Sequence, residues 1–281
     1  MASANLLDFH NIFSLEGKVV VITGSSKGLG ISAASGMLQA GASKVYITSR
    51  NPSACEDACA TLNRLPNKRP GAKAIPVPAD SSTVQGIQQL FDLVSKTTDH
   101  VDILMANAGA AQTASIEKTD EKEFSDSLDL NLKSVFFCVQ RFLPLLTVRG
   151  TVQDPSRIIV TSSISSFSQI AAGEVALYAY AAAKAGVNQL VRQLAVDLGP
   201  RHIVSNCIAP GLFLTDAKAP LIEAYGGEEA IGKAYPSGRI GKGEDFAATA
   251  VFLASRAGAH VNGHCLTLDG GFSIPRMPAL E

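Results

Sequence analysis

Residues 18–30, KVVVITGSSKGLG, decide the fold of this 281-residue chain. KVVVIT (18–23) is a short, β-branched apolar run next to glycine, which predicts a fully buried strand. A helical pattern follows from about Leu29 to Ala40 and ends at Gly41, a common helix stop signal. Strand, glycine turn and helix in this order predict the first unit of a parallel α/β sheet.

The rest of the chain repeats this alternation with short connections. Further strands are predicted at 44–48, 72–80, 101–109, 157–163, 202–210 and 264–271, and helices at 53–65, 84–97, 121–147, 175–198 and 244–255. The pattern predicts a single-domain, Rossmann-type doubly wound parallel sheet of about seven strands. Prolines in 72–80 predict an edge strand.

One irregular segment, 211–243, interrupts the alternation directly after a strand. Insertions at the carboxyl end of a sheet usually cover a ligand. We therefore expect one domain over 1–281, with an N-terminal extension at 1–15 and a substrate lid at 211–243.

The composition narrows the class of protein. The net charge of -1 gives no reason to expect nucleic acid or an anionic membrane as partner. No apolar run approaches the roughly 20 residues of a membrane-spanning helix, and no targeting signal is visible. Five scattered cysteines favour free thiols in a reducing, cytoplasmic setting. Cys55 and Cys59 lack further ligands at metal spacing, so no metal is expected.

The glycine turn at 23–30, TGSSKGLG, lies between the first strand and the first helix. Gly24 would allow the tight turn, Gly28 would let the backbone approach a diphosphate, and Gly30 would let helix and strand pack closely. The helix N-terminus offers free N–H groups and a positive dipole end to phosphate. The alternative is a plain strand-to-helix turn.

A second motif is LYAYAAAKAG, residues 177–186. On a helix, Tyr180 and Lys184 are four apart and share a face, whereas Tyr178 and Lys184 do not. A free tyrosine has a pKa of about 10, and a neighbouring ammonium lowers that value. The spacing therefore selects Tyr180 as the proton donor if the motif is catalytic.

These motifs occur in a fixed order with three others: NAG at 107–109, SS at 162–163 and PG at 210–211. The ordered set resembles the classical short-chain dehydrogenase/reductase family, from about Leu15 to Phe272. The segments GRIGKGEDFA (238–247) and LDGG (268–271) resemble those of 3-oxoacyl-carrier-protein-reductase-like members. The resemblance implies a nicotinamide-dependent oxidoreductase that forms a homodimer or homotetramer.

The end of the second strand, ITSRN, bears on the choice of cofactor. This stretch lacks the carboxylate that would bind a ribose 2′-hydroxyl. Its Ser49 and Arg50, together with Lys27 of the glycine turn, could instead bind a 2′-phosphate. In the family such residues imply NADPH; the alternative is that both cations are merely solvated. The resemblance implies cofactor binding by Gly24, Ser26, Lys27, Gly28, Leu29, Gly30, Ser49, Arg50, Asp80 (adenine), Asn107, Ala108 and Gly109 (ribose), Tyr180, Lys184, Pro210, Gly211 and Thr215 (carboxamide).

The resemblance also implies catalytic roles. Tyr180 would be the acid, Lys184 would lower its pKa and bind the nicotinamide ribose, and Ser163 would hydrogen-bond the substrate oxygen. Asn131 would hold a water beside the lysine. Ser163 could instead only cap a turn, and Asn131 could only satisfy backbone groups. Ser163 and Tyr180 are seventeen positions apart, farther than in many members, so Ser165 or Ser166 could replace Ser163.

The expected substrate pocket is apolar. Its candidate residues are Ile164, Ile170, Phe213 and Leu214, with Phe167, Leu177, Leu221, Ile222 and Tyr225 nearby; the alternative is that many of them only pack the lid. The expected function is NADPH-dependent reduction of a hydrophobic carbonyl compound to a secondary alcohol. Alcohol oxidation and a non-catalytic dinucleotide-binding protein are the alternatives.

Overall fold

Seven parallel strands form one sheet in the computed structural model, which describes residues 8–274. Residues 1–7 of the expected N-terminal extension, and 275–281, lie outside the described residues. The strands are β1 (Val19–Ile22), β2 (Lys44–Ile47), β3 (Lys73–Pro76), β4 (Ile103–Ala106), β5 (Ser156–Thr161), β6 (Ile203–Pro210) and β7 (Cys265–Leu268).

The strand order is β3-β2-β1-β4-β5-β6-β7, and every neighbouring pair is parallel. The predicted doubly wound sheet of seven strands is thereby confirmed, with the proline-bearing β3 at an edge. The order reverses direction between β1 and β4. In such sheets ligands bind outside the carboxyl ends of the strands at this switch point.

Helices cover both faces of the sheet. They are α1 (Gly28–Gln39), α2 (Pro52–Asn63), α3 (Val84–Ser95), α4 (Glu121–Leu128), α5 (Ser134–Leu146), α6 (Tyr178–Leu198), α7 (Ala219–Ala224), α8 (Gly227–Gly232) and α9 (Gly243–Ala254). Helix α6 begins three residues later than predicted, because Gly173–Val175 forms a separate 3₁₀ turn. No helix within residues 8–274 has the length and apolarity to cross a membrane.

Strand β1 shows why the sheet is buried on both sides. Val19 and Val21 join a cluster with residues of α3, α5 and α6, and Val20 and Ile22 join a second cluster with residues of α1, α2 and α9. All four side chains are buried. Burying each one stabilises the fold by about 1.5–3 kcal/mol, so the apolar run needs no polar alternation.

The long helix predicted at 121–147 is helical throughout, but a π-helical turn over Asp129–Lys133 divides it into α4 and α5. Asn131 lies in this turn, and its side-chain amide donates to the Ser127 carbonyl at 2.9 Å. This side-chain bond competes with the regular backbone pattern. π-Turns of this kind are common at functional sites.

The segment 211–243, predicted to be irregular, contains α7 and α8. They enclose a small cluster of Ile222, Tyr235 and Ile240. At the base of the segment, Phe213 and Gly241 form an isolated parallel β-bridge. The segment is therefore closed at its base and has a small core of its own.

Candidate active site

The glycine turn between β1 and α1 is shaped by two kinds of close contact. Gly24 has a φ of +63°, and a Cβ on it would lie 2.8 Å from the Cα of Ala108. A Cβ on Gly30 would overlap the carbonyl oxygen of Gly24. These two positions therefore exclude side chains because protein atoms already fill the space.

Gly28 differs, since a Cβ there would meet only the Cγ2 of Thr215, at 3.9 Å. Its φ of +58° still favours glycine. Helix α1 begins at this residue, and its N-cap, Lys27, makes no side-chain capping bond. The open cradle over Gly28 and the uncapped first turn of α1 fit a bound phosphate.

Thr23 and Ser25 hold this turn, and the sequence reasoning missed both. The Oγ1 of Thr23 accepts hydrogen bonds from the backbone N–H groups of Asn107 and Ala108, each at 3.0 Å. The Oγ of Ser25 donates to the Ile22 carbonyl at 2.7 Å and accepts from the Thr48 N–H at 3.0 Å. The turn is thus tied to the ends of β4 and β2.

The end of β2 carries the residues expected to select the cofactor. Ser49 is half-buried, and its Oγ donates to the Asn51 carbonyl at 3.1 Å and lies 3.2 Å from the Cys55 Sγ. Arg50 and Lys27 are exposed. Neither cation has an ion-pair partner within residues 8–274. Both charges are therefore available to an anion.

Asn107 braces the carboxyl edge of the sheet. Its Nδ2 donates to the carbonyls of Thr23 and Gly24, and its Oδ1 accepts from the Thr161 hydroxyl, all at 3.0 Å. The side chain thus joins β1, β4 and β5.

Asp80, another expected ligand, lies after β3, and its carboxylate accepts hydrogen bonds from the N–H and the hydroxyl of Ser82 at 2.9 and 2.7 Å.

The remaining expected cofactor ligands surround the turn. Ser26 and Leu29 are half-buried beside Gly28. Pro210 is the last residue of β6, and the N–H of Gly211 donates to the Leu268 carbonyl at 3.0 Å. Since Thr215 faces Gly28, the first residues after β6 reach over the glycine turn.

Tyr180 and Lys184 lie on one face of α6 near the ends of β5 and β4. The Lys184 ammonium lies 5.5 Å from the centre of the Tyr180 ring and donates to the Thr161 carbonyl at 2.7 Å. Burial lowers the pKa of Lys184 to about 8. Burial also raises the pKa of Tyr180, and a hydrogen bond with Ser163 opposes that rise. Tyr178, by contrast, is 43% exposed.

The two serines that end β5 face different partners. Ser162 donates to the Asn188 Oδ1 at 2.6 Å. Ser163 is the serine close enough to Tyr180 to lower its pKa, and the Ser163 Oγ accepts from the N–H and the hydroxyl of Ser165 at 3.2 and 3.0 Å. Of the two serines, the structure therefore brings Ser163 to the tyrosine.

Asn131 is fully buried below the loop that follows β4. Its Nδ2 donates to the Ala110 carbonyl at 3.0 Å, and its Oδ1 accepts from the Ala110 N–H at 3.3 Å. A Cβ on Gly109 would lie 2.8 Å from the Asn131 Oδ1 and 3.4 Å from the Lys184 Nζ. The Asn131 amide thus satisfies backbone groups, which was the simpler expectation, while lying beside the lysine.

The expected pocket residues separate into two groups. Ile164 is buried near Gly211, whereas Leu214 and Ile170 are partly exposed. Phe213 was expected in the pocket, but it is only 4% exposed, and its ring packs edge-on against Phe246 with centroids 6.1 Å apart. The Phe213 ring is part of the domain core, and the ring therefore offers no surface to a substrate. Ile222 likewise belongs to the small core of the segment 211–243.

The arrangement combines a cradle for a phosphate with a half-buried phenol, a buried ammonium and a buried hydroxyl at the same sheet edge. A phenol beside an ammonium can exchange a proton with an oxygen atom, and a serine hydroxyl can hydrogen-bond that oxygen. Within residues 8–274, no cluster of three or more His, Cys, Asp or Glu side chains could hold a metal ion. The groups present suit proton transfer next to a bound nucleotide.

Comparison with known proteins gives a consistent result. The family model described as enoyl-(acyl carrier protein) reductase matches residues 24–273. A rhamnolipids biosynthesis 3-oxoacyl-(acyl-carrier-protein) reductase of Pseudomonas aeruginosa is 36% identical, covering 94% of this chain and 100% of that protein. The short-chain dehydrogenase/reductase PhomF of Diaporthe leptostromiformis is 30% identical, with 93% of each chain covered.

Solved structures agree with these relatives. A Pseudomonas aeruginosa RhlG/NADP active-site complex has a TM-score of 0.85 at 35% identity, covering 94% of this chain and 100% of that chain. A gluconate 5-dehydrogenase of Burkholderia cenocepacia, in complex with NADP and tartrate, has a TM-score of 0.83 at 28% identity, covering 95% and 99%.

Proposed function

The chain belongs to the classical short-chain dehydrogenase/reductase family, and from that premise we propose that it reduces the ketone group of a hydrophobic small molecule to a secondary alcohol. It is an NADP-dependent oxidoreductase acting on a C=O or CH–OH group. The observation that carries the proposal is the group of three side chains at the sheet edge, in which half-buried Tyr180 lies beside the buried Lys184 ammonium and close enough to buried Ser163 for that hydroxyl to lower its pKa.

The cofactor is NADP(H), and the residues around the glycine turn fit it. We assign its diphosphate to the cradle at Gly28 and its 2′-phosphate to Ser49, Arg50 and Lys27, on the evidence of the two unpaired cations. The other expected ligands keep their proposed roles: Asp80 at the adenine, Ala108 and Gly109 at the ribose with Asn107 bracing them, Pro210 and Gly211 beside the nicotinamide, and Thr215 at its carboxamide. When bound, NADPH supplies the hydride for the reduction.

The chain itself supplies the proton. In the proposed mechanism the Tyr180 hydroxyl gives its proton to the carbonyl oxygen, and Ser163 donates a hydrogen bond to that oxygen. The Lys184 ammonium favours the phenolate that Tyr180 becomes. Burial sharpens both electrostatic effects. Asn131 contributes by holding Ala110, which keeps the loop after β4 over the lysine.

The proposed substrate is hydrophobic because the side chains at the mouth of the site are apolar. Ile170 and Leu214, 40% and 38% exposed, are the proposed lining, whereas Ile164 is 3% exposed and, like Phe213, offers little surface to a substrate. Residues 211–243 would act as the lid that excludes water. The second candidate is oxidation of a secondary alcohol, which the similarity to a gluconate 5-dehydrogenase favours.

We propose a cytoplasmic homodimer or homotetramer. All five cysteines are unpaired, which suits a reducing compartment. On α5, Phe136 is 42% exposed, and a second copy would cover it. Size-exclusion chromatography with light scattering would test the assembly; a monomer would contradict it.

The test of the function is NADPH consumption by the purified protein with a panel of hydrophobic ketones, run beside NADH. We expect turnover with NADPH, and loss of at least about 10²-fold in Tyr180→Phe. The matched control is Tyr178→Phe, two positions away and exposed, which should keep its activity. Turnover that survives Tyr180→Phe would contradict the mechanism, and turnover with secondary alcohols and NADP⁺ alone would favour the second candidate.

A further inference from the structure

Helix α6 carries a third polar residue on the face of Tyr180 and Lys184. Asn188 follows Lys184 by four positions, as Lys184 follows Tyr180, so the three side chains stand one above another. Asn188 is 8% exposed. The amide of a buried asparagine must be satisfied by the protein, so its partners indicate what it holds.

Both the Nδ2 and the Oδ1 of the Asn188 side chain make hydrogen bonds. Its Nδ2 donates to the Ser166 Oγ at 2.8 Å, and the Ser166 hydroxyl in turn donates to the carbonyl of Ser163 at 2.5 Å. Its Oδ1 accepts from the Ser162 hydroxyl at 2.6 Å and from the thiols of Cys207 and Cys265, each at 3.4 Å. Asn188 thus bonds Ser162, which directly precedes Ser163, and Ser166, which follows Ser163 by three positions.

Ser165 completes the arrangement from the other side. Its N–H and its hydroxyl both donate to the Oγ of Ser163. With both acceptor positions of that oxygen in use, the Ser163 proton is left to point at another acceptor. The Tyr180 hydroxyl is the neighbour that this proton can serve, because Ser163 lowers the pKa of Tyr180.

We propose that Asn188 is a positioning residue that acts through Ser166 to fix the Ser163 hydroxyl against Tyr180. The proposal rests on the proposed function, because it presumes that Ser163 and Tyr180 act on the substrate. The connection between them is long, seventeen positions, and it contains only two short 3₁₀ turns. A backbone that is held by so little regular structure needs a side-chain brace to keep a hydroxyl in place.

The first variant is Ser166→Ala, which removes the link while leaving Asn188 and its other partners. We expect kcat to fall about tenfold with an unchanged KM for NADPH, because displacing a catalytic group by a fraction of an ångström is costly. Ser166→Thr keeps the hydroxyl and should restore kcat. The control is Gln189→Ala, an exposed amide on the neighbouring position of α6, which should leave kcat unchanged.

Two further readouts separate positioning from a general loss of stability. Loss of the Ser163 hydrogen bond raises the pKa of Tyr180, so the alkaline limb of the reduction rate should move to higher pH. Lys184, the charged group beside the Tyr180 ring, is retained in every variant.

The second readout is a double variant. Asn188→Leu should lower kcat as Ser166→Ala does, and Asn188→Leu/Ser166→Ala should be no less active than the less active single variant. Additive losses, or a fixed pH limb, would overturn the proposal.

Crystal structures of the wild type and Ser166→Ala decide the proposal without any assay. We expect the Ser163 Oγ to move away from the Tyr180 hydroxyl in the variant, and an unmoved Ser163 would overturn the positioning role. A wild-type protein that reduces no ketone would instead count against the proposed function alone. If Asn188→Leu fails to fold, Ser166→Ala still decides the question.

Discussion

The two ends of the sheet treat buried positive charge in opposite ways. At the amino end, the guanidinium of Arg157, 1% exposed, binds Asp154 at 3.2 Å and the carbonyls of Leu253 and Ser255. Lys18 binds the same Asp154 at 2.7 Å. At the carboxyl end, Lys184, 3% exposed, has only the Thr161 carbonyl, with no carboxylate partner within residues 8–274.

The Arg157 charge stabilises the fold, whereas the Lys184 charge serves the proposed reaction. A paired, hydrogen-bonded guanidinium repays much of its desolvation. An unpaired ammonium does not. Burial lowers the pKa of both groups, but Asp154 and Asp102 oppose that shift at Arg157, whereas no carboxylate among the described residues opposes it at Lys184, whose pKa falls to about 8. Lys27 and Arg50, which also lie at the carboxyl end, have no ion-pair partner among residues 8–274 either. The site therefore keeps its cations free for groups that the chain itself does not provide.

The largest expected effect is the loss of activity in Lys184→Met, which has a side chain of similar length without charge. Reduction of ketones should fall by about 10²-fold or more, because Tyr180 loses the charge that favours its phenolate. Urea unfolding should show no loss of stability, since an unpaired buried charge is removed. If Lys184→Met kept its activity within tenfold of the wild type, the Lys184 charge would not be needed for catalysis, and the proposed contrast with Arg157 would be wrong.

Arg157→Met should do the reverse. We expect the free energy of unfolding to fall by about 2–4 kcal/mol, because two backbone carbonyls and Asp154 lose their donor. At temperatures where the variant is folded, kcat should be unchanged. The matched control is Arg256→Met, whose exposed ion pair with Asp8 should be worth less than about 1 kcal/mol. A stable Arg157→Met protein would show that this buried pair does not hold the fold.

Arg50→Ala tests the free cations beside the glycine turn. Its Kd for NADPH should rise about tenfold, the loss of one charge-assisted contact of about 1.5 kcal/mol. The Kd for NADH should stay the same, because NADH lacks the 2′-phosphate. Isothermal titration with both nucleotides measures this difference. Equal weakening of both would place Arg50 elsewhere on the cofactor.

The fourth prediction concerns the pH dependence of stability. The pKa of Lys184 is lowered from 10.5 to about 8 in the folded chain, so the unfolded state binds more protons between these values. Stability should therefore rise with pH from about 8 to 10.5, with a slope of at most about 1.4 kcal/mol per unit. The signal is the difference in urea midpoints between wild type and Lys184→Met. A difference that does not change with pH would mean that Lys184 titrates normally.

Local patterns in the sequence predicted the sheet and much of the site. β1 and its glycine turn are set by neighbouring residues, and Tyr180 is selected over Tyr178 by helical spacing alone. Phe213 could not be placed, because an apolar side chain after β6 suits the core and a pocket equally well. Asn188 was missed, and Ser166 was considered only as a replacement for Ser163, because their bonds join segments whose relative position depends on the completed fold.

The bridge between Phe213 and Gly241 has a consequence for how such a protein changes over time. The two ends of the chain between these residues meet at this one bridge, so the length of the segment can vary without moving β6 or α9. Lengthening a loop that is already closed adds little entropy cost. In the proposed function, substrate range can therefore diversify by insertion and deletion in this segment, while the glycine turn and Tyr180 are inherited unaltered.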